Sequence, residues 1–280
     1  RSRTTMAFPE LDMESLGRIA SEFDFEKAPL NRIEYVLATA TAYLVIVVSW
    51  KVFLDRKKQP SQSAADQGQG GGILSLIQSI HNLILCVWSL IMFLGCGKCF
   101  IDRVLEEKSI YWYFCEHVGQ EAKGPLFFWS YIYYLSKYYE LLDTFVALLR
   151  GKPPPSFKMH IYHHSVVMFM TWFWLAYSQS LQFGGLLFNT FVHVIMYYYY
   201  FLRSRGVKEI WWKSWITRIQ IIQFVFSMMC VVPWAVLVFG YKRQCSGYHA
   251  TLFNLGFNAS LLFLFLGVLT RIKEDKKKEN

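Results

Sequence analysis

The chain has 280 residues, 54% of them hydrophobic, a mean hydropathy of +0.25 and a formal charge of +9. An ordinary soluble domain reaches roughly half apolar residues only when glycine is counted, so this composition excludes one and points to a membrane. No internal repeat is visible, which leaves a transporter built on inverted repeats without support.

Residues 1–32 read as an N-terminal arm of acids and sparse apolar residues, lacking the apolar core of a signal peptide. Met6 reads as a native start, with Arg1 to Thr5 as an addition ahead of it. A helical span needs ~20 mostly apolar residues. Seven stretches qualify: 33–54, 73–97, 125–149, 157–177, 182–202, 214–239 and 249–270. The expected fold is therefore all-α, a seven-helix transmembrane domain over 33–270, with a tail over 271–280. Between the first two spans, residues 56–72 hold a Ser-, Gln- and Gly-rich run that reads as a flexible linker without chemistry.

If the first span runs from lumen to cytosol, the cytosolic segments hold 17 bases against 6 acids, and the other side 11 bases against 12 acids. Lysine and arginine mark the cytosolic side, so the N-terminus is expected in the lumen and the tail in the cytosol. A basic rim there suits anionic headgroups or a phosphate-bearing substrate. The tail ends Lys277-Lys278-Glu279-Asn280, a form that resembles the dilysine signal returning membrane proteins to the endoplasmic reticulum. Of the six cysteines, Cys86, Cys96 and Cys230 fall in or at the ends of spans. Cys115 and Cys245 share the luminal side, where a disulfide persists, and Cys99 competes as a partner.

Polar clusters interrupt four successive spans. They are Lys137-x-x-Glu140-x-x-Asp143-Thr144, then His160-x-x-His163-His164, then His193-x-x-Met196-Tyr197 with Tyr199 and Tyr200, and Thr217-x-x-Gln220-x-x-Gln223. A charge near a bilayer centre costs at least ~2.5 to 3.5 kcal/mol, so such groups pair, line a cavity or do chemistry. At 1.5 Å per residue, Glu140 and Asp143 lie about 15 and 10 Å inward from Arg150, His193 about 15 Å from Arg203 and Gln220 about 10 Å from Lys213. All four clusters thus fall in the cytosolic half. Residues at i, i+3 and i+4 share a face. His160, His163 and His164 therefore project together, as do His193, Met196 and Tyr197, while Lys137, Glu140 and Thr144 share a stripe with Asp143 at its edge.

Each cluster also has a plainer reading. Lys137 with Glu140 makes a structural ion pair, Thr217, Gln220 and Gln223 make interhelical hydrogen bonds, and the tyrosines make an interfacial belt. Three histidines on one turn are harder to place as packing. They could ligate a metal, but membrane desaturases and hydroxylases use about eight, and this chain has seven, with His81, His117 and His249 outside the boxes or on the luminal side. Without a metal, imidazole serves as acid, base or nucleophile. No cysteine and no Gly-x-Ser-x-Gly elbow lies in the polar layer, which leaves histidine as the acyl-accepting candidate.

At these motifs, from roughly Leu126 to the end of the sixth span, the chain resembles the ELO family of fatty acid elongases, the very-long-chain 3-oxoacyl-CoA synthases. The likeness lies in Lys137-Tyr-Tyr-Glu140-Leu-Leu-Asp143-Thr144, His160-Ile-Tyr-His163-His164, Asn189-Thr-Phe-Val-His193 with Met196 to Tyr200, and Trp211 to Phe224, in that order. The resemblance implies six of seven helices forming an inverted barrel around an acyl-chain tunnel in the endoplasmic reticulum. It implies condensation of acyl-CoA with malonyl-CoA to 3-oxoacyl-CoA, carbon dioxide and CoA, with no bound cofactor or metal. Expected partners are membrane lipid, a ketoacyl reductase, a dehydratase and an enoyl reductase; a homodimer is left open and nucleic acid is not expected.

Within that likeness His163 is the expected nucleophile and His193 its neighbour, with His160, His164, Glu140, Asp143 and Lys137 orienting imidazoles and moving protons. Asn189, Tyr197 and Gln220 are expected to face the carbonyl oxygen, with Tyr200, Thr217 and Gln223 beside them. Arg203, Lys208, Lys213 and Arg218 are expected at the CoA phosphates. Competing readings are a seven-helix receptor, whose Asp-Arg-Tyr and Asn-Pro-x-x-Tyr switches are absent, and a metal-dependent oxidase of acyl chains.

Overall fold

The computed structural model describes residues 13–57 and 72–279; for Met13, Leu16 and residues 271–279 only the backbone is described. Met6, residues 58–71 of the expected 56–72 linker and the Lys277-Lys278-Glu279-Asn280 ending lie outside the described residues and side chains, while Arg56 and Lys57 belong to the helix before that linker. The elements are helical throughout: α1 (Met13–Ser21), α2 (Ile33–Lys57), α3 (Ile73–Glu107), α4 (Tyr111–Phe114), α5 (Pro125–Glu140), α6 (Leu142–Leu149), α7 (Phe157–Ala176), α8 (Gln182–Ser204), α9 (Lys213–Ala235) and α10 (Tyr248–Glu279). Among the described residues the one β pairing is a bridge between Asp24 and Lys123, which ties the N-terminal arm to the approach to α5.

Among the described residues five helical stretches, against the seven expected, are long and apolar enough to cross a membrane: Ile33–Lys57, Ile73–Glu107, Gln182–Ser204, Lys213–Gly240 and Tyr248–Thr270. Their side chains sort inside out relative to a soluble bundle. On α3, Leu76, Ile80, Leu83, Ile84, Val87 and Ile91 are exposed while Ser75, Ser79, His81, Asn82 and Ser89 are buried. Lipid takes the branched chains at no cost, whereas small and polar groups need a protein neighbour. On α2 the stripe Val36, Ala40, Tyr43 and Val47 is buried at helical spacing and packs toward α6 and α7.

The stretch 125–149, expected as one span, is two helices separated at Leu141. Neither proline nor glycine stands there. The turn instead tightens to i−3 bonding: Leu141 N–H donates to the Tyr138 carbonyl at 3.3 Å and Thr144 N–H to the Leu141 carbonyl at 3.2 Å. The 20-residue α7, expected as a span, is not among these five; Lys158, His160, His163 and His164 lower its hydropathy.

The helices pack in successive pairs, α3 with α5, α5 with α7, α7 with α10, α10 with α9, α9 with α8 and α8 with α3. At one end of the bundle Cys115 and Cys245 are bonded, S–S 1.99 Å, joining the segment after α4 to the segment before α10. Cys99, the competing partner, is free and half-buried. Gly247, with φ +72°, passes so close to Gln179 that any Cβ would overlap its backbone, which is why this turn needs glycine.

Candidate active site

The tight turn at Leu141 decides what the first polar motif touches. Glu140 ends α5 and takes a bond from Lys137 Nζ at 2.7 Å and from Ser136 Oγ at 3.2 Å; His193 Nδ1 lies 3.6 Å away. Lys137 also stands over the Tyr133 ring, 3.9 Å from its centroid. Lys137 and Glu140 are each 1% exposed, a burial that costs several kcal/mol per ion unless the two stay paired. Asp143, one turn on, faces another way. Its Oδ1 is 2.7 Å from His81 Nε2 and its Oδ2 accepts from the Tyr197 hydroxyl at 2.8 Å. Thr144 turns to a third side, with its Oγ1 2.7 Å from the Tyr43 hydroxyl and 2.9 Å from His160 Nε2.

The three histidines of α7 cluster as the spacing predicts. Ring centroids are 4.4 Å apart for His160 and His164 and 5.3 Å for His163 and His164. His163 lies parallel to Phe257 of α10 at 6.1 Å. Its Nδ1, the Nδ1 of His164 and the Oε2 of Glu140 are buried without a hydrogen-bond partner among the described residues. Most buried polar atoms are bonded, so three unpaired ones in a single layer mark where a substrate group would be received. Among the described residues no carboxylate bonds His163, although Glu140 and Asp143 were expected to orient imidazoles: Asp143 is held by His81 and Tyr197, and the bonded oxygen of Glu140 by Lys137 and Ser136.

A cavity begins at His163 and follows α7 past Val167 and Met170 to Trp174, an axial run of about 16 Å. Its wall is largely apolar and aromatic, with Phe188, Phe224, Phe226 and Leu261 among the lining residues. Polar side chains line it as well. Asn189 accepts from the Tyr133 hydroxyl at 2.7 Å and donates to Gln223 Oε1 at 3.5 Å. Ser227, Asn254 and Asn258 line it too, and sequence reading did not single them out, although Asn254 and Asn258 stand at i, i+4 on an otherwise apolar helix.

The remaining expected residues divide. Gln220 is half-buried and donates to Met196 Sδ at 3.6 Å, and Thr217 is half-buried beside it on α9. Tyr200 is 42% exposed, with its ring 6.1 Å from that of Tyr197. Tyr197 itself is 1% exposed with its hydroxyl spent on Asp143, so it does not offer a free donor to a carbonyl oxygen. Arg203 at the end of α8, Lys208 in the α8–α9 connection, and Lys213 and Arg218 on the first turns of α9 are all exposed; Arg203 caps the carbonyls of Val207 and Lys208, and Arg218 lies over Trp215. His81, expected outside the site, is in contact with it through Asp143. Its signal was the buried polar stripe Ser75, Gln78, Ser79, His81 and Asn82 at i, i+3, i+4 spacing on α3. Among the described residues no three His, Cys, Asp or Glu side chains converge as metal ligands.

Apolar helices of membrane-spanning length around a largely apolar cavity that His163 helps to line are the architecture of a membrane protein. The family model of the ELO family, GNS1/SUR4, matches residues 28–279. A protein of Dictyostelium discoideum described as a fatty acid elongase is 37% identical over 245 residues, 87% of this chain and 77% of that protein. One of Schizosaccharomyces pombe, likewise described, is 33% identical over 285 residues, 97% of this chain and 80% of that protein. Fatty acid elongase A of Dictyostelium discoideum is 30% identical over 283 residues, covering 98% and 95%. The chain belongs to the ELO family, and it is a multi-pass membrane enzyme of fatty acid elongation.

Proposed function

We propose that this enzyme carries out the condensing step of elongation, joining a long-chain acyl-CoA to malonyl-CoA to give 3-oxoacyl-CoA, carbon dioxide and CoA. The observation that carries the reading is the largely apolar cavity lined by His163, whose Nδ1 has no hydrogen-bond partner among the described residues. An alkyl chain gains ~0.8 kcal/mol per buried CH₂, so a largely apolar cavity walled by α7 residues that span about 16 Å would favour a tail packed along it, with the thioester at the imidazole. The successive pairing of α3, α5–α6, α7, α10, α9 and α8 supports a six-helix barrel around that slot, with α2 packed outside it as a seventh span.

In the first half-reaction a neutral imidazole nitrogen of His163 attacks the thioester carbonyl. A C–N bond forms, the C–S bond breaks, CoA leaves as thiolate and takes up a proton, and the ring loses its other N–H proton. In the second, malonyl-CoA loses carbon dioxide and its carbanion attacks the acyl carbon. A C–C bond forms, the C–N bond breaks, and the departing imidazole recovers a proton. Asn189 and Gln223, which line the same cavity as His163, would donate to the carbonyl oxygen as it becomes negative. The exposed bases in and beside the α8–α9 connection suit CoA phosphates at the mouth.

Positive-inside orientation puts this mouth in the cytosol and the Cys115–Cys245 end in the lumen of the endoplasmic reticulum, where the 3-oxo product would pass to reductase and dehydratase partners. Purified protein incubated with a panel of acyl-CoAs and labelled malonyl-CoA should release carbon dioxide and yield products two carbons longer. Acyl-CoA alone should leave an acyl mass on a histidine peptide. Release of carbon dioxide without chain extension, or extension without malonyl-CoA, would overturn the reading.

A further inference from the structure

His81 is the one buried histidine of the polar layer that lies outside the motifs. It sits on α3, 5% exposed, with Nε2 against Asp143 Oδ1 of α6 at 2.7 Å. The other oxygen of that carboxylate accepts from the Tyr197 hydroxyl of α8 at 2.8 Å. The Tyr197 ring stands edge-on to His193, centroids 5.3 Å apart and planes at 81°. From α5 the Tyr139 ring faces the His81 imidazole at 5.1 Å. A carboxylate held at both oxygens is fixed in rotation, and a phenol anchored at its hydroxyl has no freedom to swing.

His81 is not needed to join α3 to α8, which are already tied by Ser75 Oγ to the Ser204 carbonyl, by Ser79 to Ser204, and by Cys86 to the Val194 carbonyl; its own bond runs from α3 to Asp143 of α6. A buried imidazole and carboxylate also carry a desolvation cost that an apolar pair of similar volume avoids. We propose that His81 is a positioning residue: through Asp143 and Tyr197 it holds the His193 imidazole at the reacting acyl group. The inference rests on the condensing reading.

The test compares His81→Leu, His81→Gln, Tyr197→Phe and the His81→Leu/Tyr197→Phe double variant for condensation kinetics. Leucine removes the bond to Asp143, while the glutamine amide reproduces a donor near the place of Nε2. His81→Leu should lower kcat roughly 10- to 100-fold, the scale of a small misplacement of a catalytic group, with KM for acyl-CoA held. His81→Gln should recover most of that loss. Because the residues act in series, the double variant should be no worse than the poorer single one. Unchanged kcat in His81→Leu, equal loss in His81→Gln, or losses that multiply in the double variant would each overturn the proposal. Should His81→Leu not fold, Tyr197→Phe and His81→Gln carry the test: normal kcat in the first, or a loss of kcat in a folded His81→Gln protein, overturns it. If the unaltered protein does not condense, the functional reading fails and this inference falls with it; if it condenses and His81→Leu does too, this inference fails alone.

Discussion

The ionisable groups at the two ends of the bundle are treated in opposite ways. At the disulfide end Arg103 grips both oxygens of Glu116, at 2.7 and 2.9 Å, and lies 4.1 Å over the Trp112 ring. Backbone bonds close around the pair: Glu116 N–H donates to Ser180 Oγ and Ser246 N–H to the Glu116 carbonyl, both at 2.9 Å. The disulfide adds a covalent tie. In the histidine layer, by contrast, Glu140 keeps one oxygen unpaired and His163 and His164 each keep one nitrogen unpaired. Buried charge that is fully bonded stiffens a fold; buried polar atoms left open are retained for something that arrives from outside. The side-chain amide of Gln179 and the indole N–H of Trp112 are unpaired polar groups at the disulfide end, and neither ionises.

Substitutions can break this contrast, and the largest effect is expected at the open layer. His163→Ala should lower condensation by on the order of 10³-fold or more and abolish the acyl mass on its peptide, while thermal unfolding stays near that of the unaltered protein. Residual condensation at the normal rate would move the chemistry to another group. Lys137→Met leaves Glu140 buried without its cation and should cost about 3–5 kcal/mol, read as a lower Tm. The Lys137→Met/Glu140→Gln double variant should regain part of that stability, and a double variant as unstable as the single one would deny the pairing its role.

At the closed end, Cys115→Ser should cost ~2–5 kcal/mol yet leave turnover per folded molecule unchanged. Lost turnover at full folding would show that the two ends are not separable. Gly185 lines the cavity, and a Cβ there would stand 3.3 Å from the Trp174 ring. Gly185→Leu should therefore shift products toward shorter chains in the acyl-CoA panel, an outcome that an unchanged product spectrum would refute. Smallest of all, Tyr200→Phe should change stability by no more than ~0.5 kcal/mol, because the ring is 42% exposed.

Much of the candidate site could be read along single helices. The clustering of His160, His163 and His164, the burial of Lys137 beside Glu140, and the shared face of His193 and Tyr197 all follow from 3.6-residue periodicity. Hydropathy marked seven stretches, of which five are, among the described residues, helices long and apolar enough to cross a membrane, and the motifs in order pointed to the family that comparison then established. These are local properties, since spacing along one helix sets which side chains share a face.

Between helices the sequence was silent. Nothing in Glu140-Leu141-Leu142-Asp143 announces a tight turn, yet that turn sends Glu140, Asp143 and Thr144 to three different neighbours. His81 stood some sixty residues from its carboxylate, and Asn254 and Asn258 entered the cavity wall only because α10 packs against α7 and α9. Cys115 and Cys245 stayed one pairing among alternatives until the loops were brought together. Periodicity is written in the chain, whereas the choice of neighbour depends on how whole helix faces fit one another, and that is settled only when all of them pack at once.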